Sequence, residues 1–228
     1  MDPRLDATRV SGPWPRVGMS SSSQLFWKSP DPEASLRAAL GKAKTKIEEL
    51  SSQQWDPATS TIGGVRDHQL CWLAEDAANW SSLLLHLNSE LADPVGAELS
   101  SASDNPVIAF NEFDQAAWGF TVYENGRPVT RFWNRPDVVE EDPRECTVRP
   151  NFIAGLFGVG VDVVAPYLSH LDPEAAEVGK AFSDDEFPLE DHWVRCDFMR
   201  RVGLRYPDPG EAGTRHVFIA EPGVTEDG

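Results

Sequence analysis

Carboxylates are the only abundant reactive side chains in this sequence, and they are densest near its C-terminal end. Five acids lie there, directly before His192: Asp184, Asp185, Glu186, Glu190 and Asp191. In an enzyme, such a cluster could bind a hard cation or place an acid of raised pKa beside a histidine. The run lacks the glycine and the alternating ligands of a calcium loop. We therefore favour a solvated acidic loop in which Glu190 or Asp191 also caps the next helix.

Familiar catalytic motifs do not occur in the chain. It has no P-loop, no GxSxG nucleophile elbow and no HExxH zinc motif. The glycines at 155, 158 and 160 have the wrong spacing for a dinucleotide fingerprint, and we expect a helix end and a turn there. The histidines are far apart, and the three cysteines form no CxxC pair. We assign no catalytic residue, no metal site and no cofactor.

Two of the cysteines, Cys71 and Cys196, lie in apolar segments, which indicates buried thiols rather than nucleophiles. A reducing cytoplasm fits this cysteine usage best. The N-terminal residues have no apolar signal-peptide core, and no run reaches the ~18 apolar residues that a membrane span needs. Met1 and Met19 are both possible starts of translation.

The charge of the 228-residue chain, formally −17, belongs to its larger C-terminal part. Residues 1–50 hold eight basic and six acidic side chains, so they carry about +2, whereas residues 51–228 hold 12 basic and 31 acidic ones, or −19. Nucleic acids and anionic membranes are excluded as expected partners, because both require a basic surface. The acidity either aids solubility or forms a docking face for a basic partner.

A second acidic run follows a segment rich in aromatic residues. The run spans residues 137–145 and includes Glu140, Glu141 and Asp142. Trp118, Tyr123, Phe132 and Trp133 precede it on the two strands of a predicted hairpin, whose turn is Asn125-Gly126. At least half of these aromatics are expected to pack in the core. If Trp118, Tyr123 or Trp133 stays exposed beside the acids, the surface would resemble an aromatic anchor with a charged rim.

The remaining pattern predicts an α+β protein. A helical stripe formed by Leu36, Leu40, Ala43, Ile47 and Leu50 predicts one long helix after a first strand at 24–28. Strands are predicted at 68–74 and 79–87, the second of which could also be a helix. A helix beginning at Pro94 and ending near Ala102 follows, then a strand at 107–110 and the hairpin. Helical segments follow residue 151, one of them ended by Gly203, and 216–220 could form a short strand.

This order predicts a ferredoxin-like split β-α-β sheet, extended by the antiparallel hairpin and joined by a C-terminal helical section. We divide the chain into a flexible leader (1–22), the sheet domain (23–134), an acidic linker loop (135–151), a helical section packed on the sheet (152–206) and an irregular tail (207–228).

Three functions are compatible with these patterns. The preferred hypothesis is a non-catalytic acidic protein that docks on a basic protein, with an inhibitor or immunity protein as one concrete form. The second is an enzyme, or a small-ligand or metal binder, with a carboxylate-rich cleft between the sheet and the C-terminal helices. The third is a stress or assembly protein that forms oligomers through its hairpin edge.

Overall fold

The computed structural model describes residues 22–42, 46–49, 61–62, 65–66, 70–75, 80–86, 89–146, 148–172, 178–206 and 215–220. The predicted leader, except for its last residue, most of the turn-rich segment 52–67 and much of the predicted tail lie outside them, and so does the side chain of Cys71.

One layer of strands forms the centre of the molecule. Its strands are β1 (Ser22–Trp27), β2 (Lys46–Glu49), β5 (Leu70–Glu75), β6 (Ser81–His86), β7 (Val107–Phe113), β8 (Ala117–Glu124), β9 (Arg127–Trp133) and β10 (Arg215–Ala220). They form an eight-stranded sheet in the order β2-β10-β5-β6-β1-β7-β8-β9, and every neighbouring pair is antiparallel. β3 (Thr61–Ile62) and β4 (Val65–Arg66) pair separately. The α+β class is confirmed.

The centre of the sheet has the strand order expected for the predicted split β-α-β unit. β5, β6, β1 and β7 are neighbours in that order, so β6 lies between β1 and β5, and β1 lies between β6 and β7. Helix α1 (Pro32–Lys42) follows β1, and helix α2 (Ser89–Ala102) connects β6 to β7. The hairpin β8–β9 extends the sheet on the β7 side, as expected, while β10 and β2 extend it on the other side.

Helices cover both faces of this sheet. Leu36 and Ala39 of α1 and Val95 and Leu99 of α2 pack on one face, against Leu25 and other apolar side chains. The opposite face is covered by α3 (Pro150–Phe157), α4 (Val161–Val164) with a 3₁₀ turn (Ala165–Tyr167), and α5 (Val194–Arg201). The core on that side is mainly aromatic. Phe198 of α5 contacts Phe110, Trp118 and Phe120 at ring distances of 5.8–6.0 Å.

The local turn and cap signals agree with the structure. Asn125 and Gly126 both have positive φ, 51° and 79°, which is the backbone of the two-residue turn that Asn-Gly favours. Gly158 ends α3 in the left-handed conformation, and Gly203 has a φ of 78° just after α5. The glycine-containing segment at 155–160 is therefore a helix end and turn, as predicted.

Two predicted helix boundaries are wrong. α1 ends at Lys42, and Ile47 lies in β2, which pairs with β10 in the register Ile47↔Ile219. The local spacing of apolar residues cannot indicate pairing with a strand that lies about 170 residues further along the chain. α2 begins at Ser89 rather than at Pro94, because Ala92, Val95 and Leu99 form one continuous buried stripe. The strand interpretation of 79–87 agrees with β6.

The sheet draws on more of the chain than the predicted 23–134 segment, because β10 comes from the predicted tail. Segment 135–151 contains the buried residues Cys146 and Val148 and the start of α3, so it packs on the fold. Within the described residues no single helix is long and apolar enough to cross a membrane. Only the bent pair Pro150–Phe157 and Val161–Tyr167, at 109°, has sufficient length and composition when taken together.

Candidate functional site

Two of the three predicted aromatic anchors are buried. Trp118 is 1 % exposed and Tyr123 is 3 % exposed, so the prediction of exposed anchors is wrong for both. Trp118 packs in the aromatic core below α5, and the Tyr123 hydroxyl donates a hydrogen bond to Asp93 of α2. Helices cover both faces of the hairpin. The alternation of residue types along a strand does not show whether its second face is covered by helices as well.

Trp133 is the remaining anchor, and it is half-buried. It pairs with Gly119 across β8 and β9, and a Cβ added to Gly119 would lie 2.6 Å from the Trp133 ring. Glycine at 119 therefore lets the indole lie flat against β8. Trp133 points to the same face of β9 as Arg131, because side chains two residues apart share a face.

In the 137–145 run, three of the acids are neutralised by arginines. Arg131 Nη1 lies 3.0 Å from Glu141 Oε1, and Arg131 also approaches Asp93 Oδ2 at 3.7 Å. Asp142 binds Arg144, which lowers the pKa of the Asp142 carboxyl. Asp137 binds Arg135 in the same way, and its pKa is also lowered.

The other two acids of this run point to solvent. Glu140 and Glu145 are exposed, and neither forms an ion pair with another described residue. Glu140 also has a φ of 56°, which fixes it at a sharp bend of the loop. The ion pair of Arg131 with Glu141 holds the neighbouring Glu140 close to β9. The negative charge available to a partner is therefore carried by Glu140 and Glu145.

In the 184–191 run, Asp185 is a structural residue. Its side chain is fully buried and accepts hydrogen bonds from the Tyr167 hydroxyl at 2.7 Å and the Phe182 amide at 2.9 Å. Arg201 donates to the other carboxylate oxygen at 2.8 Å, and Asp184 binds the same guanidinium, which lowers the pKa of the Asp184 carboxyl. These bonds tie the loop to α5 and to the 3₁₀ turn.

The end of this loop is held by further acids that point inward. Asp197 Oδ2 accepts hydrogen bonds from the amides of Glu186 and Phe187, at 2.9 and 2.8 Å. Asp191 Oδ1 accepts from the Trp193 amide at 2.8 Å and so stabilises the turn before α5. The helix itself has Trp193 at its N-cap and no side-chain cap hydrogen bond, so the predicted cap by Glu190 or Asp191 is not formed. The side chains of Glu186 and Glu190 are exposed and form no ion pair with another described residue.

A buried ionic cluster between the sheet and α5 was missed by the sequence analysis. Arg195 is 1 % exposed, and its Nη2 lies 2.5 Å from Glu112 Oε2 on β7. His192 lies between two carboxylates, with Nε2 at 3.5 Å from Glu112 and Nδ1 at 3.5 Å from Asp191. The Arg195 guanidinium also stacks 4.8 Å from the Trp193 ring. The available signal was that Arg195 and Asp197 alternate with the apolar residues Val194, Cys196 and Phe198 in the first part of α5.

Burial controls the protonation of this cluster. It lowers the pKa of His192 below its ordinary value, against the opposing effect of Glu112. It raises the pKa of the Cys196 thiol to about 11 and that of the Tyr206 phenol to about 12. A thiol with that pKa stays protonated near neutral pH and is a poor nucleophile. Cys196 is half-buried rather than buried, and its raised pKa agrees with the prediction that it is not a nucleophile.

Several buried polar atoms on the same side of the sheet lack partners. Both amide atoms of Gln24, the indole nitrogen of Trp118 and the amide nitrogen of Asn134 find no hydrogen-bond partner among the described residues. Trp118 lies directly opposite Glu112 in the β7–β8 pairing. Among all residues that the structure describes, no group of three or more His, Cys, Asp or Glu side chains is arranged to hold a metal ion.

The structure therefore separates the predicted partner-binding residues into two groups. Asp184, Asp185, Asp191, Glu141 and Asp142 form ion pairs or hydrogen bonds with other residues of the chain. Glu140, Glu186 and Glu190 are exposed and form no ion pair within the part of the chain that the structure describes. Glu145 joins the second group. Comparison with known proteins adds no functional assignment, since no family model, no curated protein and no solved structure matches this chain.

Proposed function

We propose that this protein is a non-catalytic acidic binding protein that docks on a basic protein partner, an inhibitor or immunity protein being one form of it. The observation that carries the proposal is the division of the acids within each loop. Inward-pointing acids fix the loops to the fold, and outward-pointing glutamates remain without a cationic partner among the described residues. Fixed, unneutralised charges favour association with an opposite surface and increase its rate.

The rigidity of the two loops supports this function. An acidic segment held by ordered contacts loses little conformational freedom on binding, so less of the interaction energy is spent on ordering it. Arg131 holds the first loop against β9, and Asp185 and Asp197 hold the second against α5. We retain a reducing cytoplasm as the proposed location, which the free thiols of Cys146 and Cys196 support.

Affinity capture tests the proposal. The protein is immobilised and exposed to a lysate of its native host at low salt, and retained proteins are eluted by raising the salt concentration. We expect a basic protein to be retained and then released, because screening weakens exposed charge pairs. Neutralising two glutamates, Glu186→Gln with Glu190→Gln, should reduce its affinity about fivefold, at ~0.5 kcal/mol for each exposed pair.

A matched control has the same change in net charge elsewhere. Asp104 and Asp114 are exposed and form no ion pair with another described residue, so Asp104→Asn with Asp114→Asn should bind as the wild type does. An equal loss in both double variants would indicate non-specific attraction to an acidic protein. Retention of nothing at low salt would contradict the proposal.

A small-ligand site between the sheet and the C-terminal helices is the second candidate. It is favoured by Gln24, which is 1 % exposed and has both amide atoms without a partner among the described residues. Buried polar groups normally have partners, and a ligand or ordered water could supply them. A thermal-shift screen with divalent ions and small polar metabolites tests this candidate, since a ligand of the folded state must raise the melting temperature.

A further inference from the structure

The turn between β8 and β9 places a side-chain amide next to a backbone amide that can react with it. It consists of Asn125 and Gly126, the only Asn-Gly pair in the sequence. The Asn125 side chain is exposed, so water reaches it. Attack of the Gly126 nitrogen on Asn125 Cγ closes a five-membered ring, and reactions within one chain gain from this proximity. Glycine has no side chain that would crowd the attacking nitrogen. These two residues therefore have the chemistry for deamidation.

Deamidation at this turn needs only water in addition to the chain. The Gly126 nitrogen bonds to Asn125 Cγ and loses its proton, through solvent, to the side-chain nitrogen. The bond from Cγ to that side-chain nitrogen breaks, and ammonia leaves. Water then opens the cyclic imide at one of its two carbonyl carbons. Opening at Cγ breaks the new bond and gives aspartate at position 125, whereas opening at the main-chain carbon breaks the original peptide bond and gives isoaspartate. No oxidant or reductant takes part.

The folded protein holds the attacking nitrogen in a hydrogen bond. The Gly126 N–H donates to Ser100 Oγ of α2 at 3.0 Å, and the Ser100 hydroxyl donates to the Ala97 carbonyl at 2.9 Å. Ser100 is 1 % exposed, so water has little access to this contact. The turn also packs on α2, because a Cβ added to Gly126 would lie 3.3 Å from Ser101 Cβ. The proton that must leave for the reaction is therefore the one that Ser100 binds.

We propose that Asn125 is a site of spontaneous deamidation, and that the hydrogen bond from Gly126 to Ser100 keeps the reaction slow in the folded protein. The reaction then proceeds from a locally opened turn, whose population determines the rate. Loss of one such hydrogen bond changes that population by about two- to tenfold. Deamidation adds a carboxylate beside Glu124, and the isoaspartate product adds a methylene to the backbone of a turn of only two residues. This inference is independent of the proposed function.

Peptide mapping by mass spectrometry tests the proposal on the full-length protein. Samples are incubated in mildly alkaline buffer, with and without urea, and conversion at position 125 to aspartate and isoaspartate is followed over time. We expect faster conversion in urea than in the folded protein. Ser100→Ala removes the acceptor and should accelerate conversion in the folded protein about fivefold. The matched control Ser101→Ala removes an exposed hydroxyl and leaves the Gly126 hydrogen bond intact, so it should convert at the wild-type rate.

The rates with and without urea separate the existence of the site from its protection by the fold. No conversion in urea would overturn the site itself, and equal rates with and without urea would overturn its protection. Equal rates for the wild type and Ser100→Ala, or the same acceleration in Ser101→Ala, would overturn the role of Ser100. Alanine is favourable inside a helix, so both variants should fold. Urea denaturation measures the unfolded fraction of each variant, and an acceleration that only matches an increase in this fraction would also overturn the role of Ser100.

Discussion

Asp185 and Glu186 are neighbours in one acidic loop, yet neutralising them should have very different consequences for stability. The Asp185 carboxylate is fully buried and accepts hydrogen bonds from Tyr167, Phe182 and Arg201. The substitution Asp185→Asn replaces one carboxylate oxygen by an NH₂ group, which would then face donors on that side. Glu186 has an exposed side chain, and only its backbone amide contributes, by donating to Asp197.

The magnitude follows from the donors that lose their acceptor. A hydrogen bond to a charged group contributes about 1.5–3 kcal/mol, and leaving a buried charge without its partner costs about 3–5 kcal/mol. Arg201 keeps its contact with the exposed Asp184, which offsets part of the loss. We therefore expect Asp185→Asn to lower the free energy of unfolding by about 3–4 kcal/mol, and Glu186→Gln to change it by less than about 0.5 kcal/mol.

Urea denaturation followed by tryptophan fluorescence and by circular dichroism measures both variants. In a chain of this size the Asp185→Asn change corresponds to a decrease in melting temperature of about 6–16 °C, at ~2–4 °C per kcal/mol. Agreement of the two probes establishes a single transition, which the comparison needs. If Asp185→Asn cost less than about 1 kcal/mol, or if Glu186→Gln cost as much, the division between inward and outward acids would be refuted.

Three further predictions concern the sheet and the buried cluster. The pKa of His192 is lowered in the folded protein, so the unfolded chain takes up a proton first as the pH falls. The free energy of unfolding should therefore decrease below about pH 6.5, by at most ~2 kcal/mol at pH 5. Urea titrations of His192→Gln should show a smaller difference in this free energy between pH 7 and pH 5 than those of the wild type. Gly119→Ala should lower the free energy of unfolding by more than about 2 kcal/mol, because the added Cβ would lie 2.2 Å from the Phe132 carbonyl oxygen. In Gly155→Ala the added Cβ meets no atom within 4 Å, so this change in α3 should raise the free energy of unfolding by about 0.5–1 kcal/mol. Thermal unfolding measures both variants. Glu112→Leu alone should lower the free energy of unfolding by about 3–5 kcal/mol, because it leaves the buried Arg195 without its carboxylate. Adding Arg195→Met should restore much of this free energy, which a double-mutant cycle measured by urea denaturation would show.

Local signals in the sequence predicted the elements whose cause is local. The Asn125-Gly126 pair predicted the hairpin because two consecutive residues with positive φ require such residue types. Gly203 predicted the end of α5 for a similar reason. The α+β class followed from the order of the elements, and the strand order agrees with the proposed split β-α-β unit.

Non-local pairing decided what the sequence could not predict. The helical stripe that continued through Ile47 is interrupted because that residue pairs with β10 from the far end of the chain. Trp118 and Tyr123 became core residues because helices cover both faces of the hairpin. The Glu112–Arg195 pair joins β7 to α5, so its burial depends on packing between segments that are distant in the sequence. Likewise, the role of each acid depends on which arginine reaches it.

The affinity of the captured basic protein for variants of the two acidic loops tests the central claim most directly. Isothermal titration at low and at high salt would compare the wild type, Glu140→Gln with Glu145→Gln, Glu186→Gln with Glu190→Gln, and the control Asp104→Asn with Asp114→Asn. We predict about fivefold weaker binding for at least one loop variant at low salt, no change for the control, and convergence of all four proteins at high salt. Equal affinities of the loop variants and the wild type at low salt would contradict the claim that the outward glutamates form the docking surface.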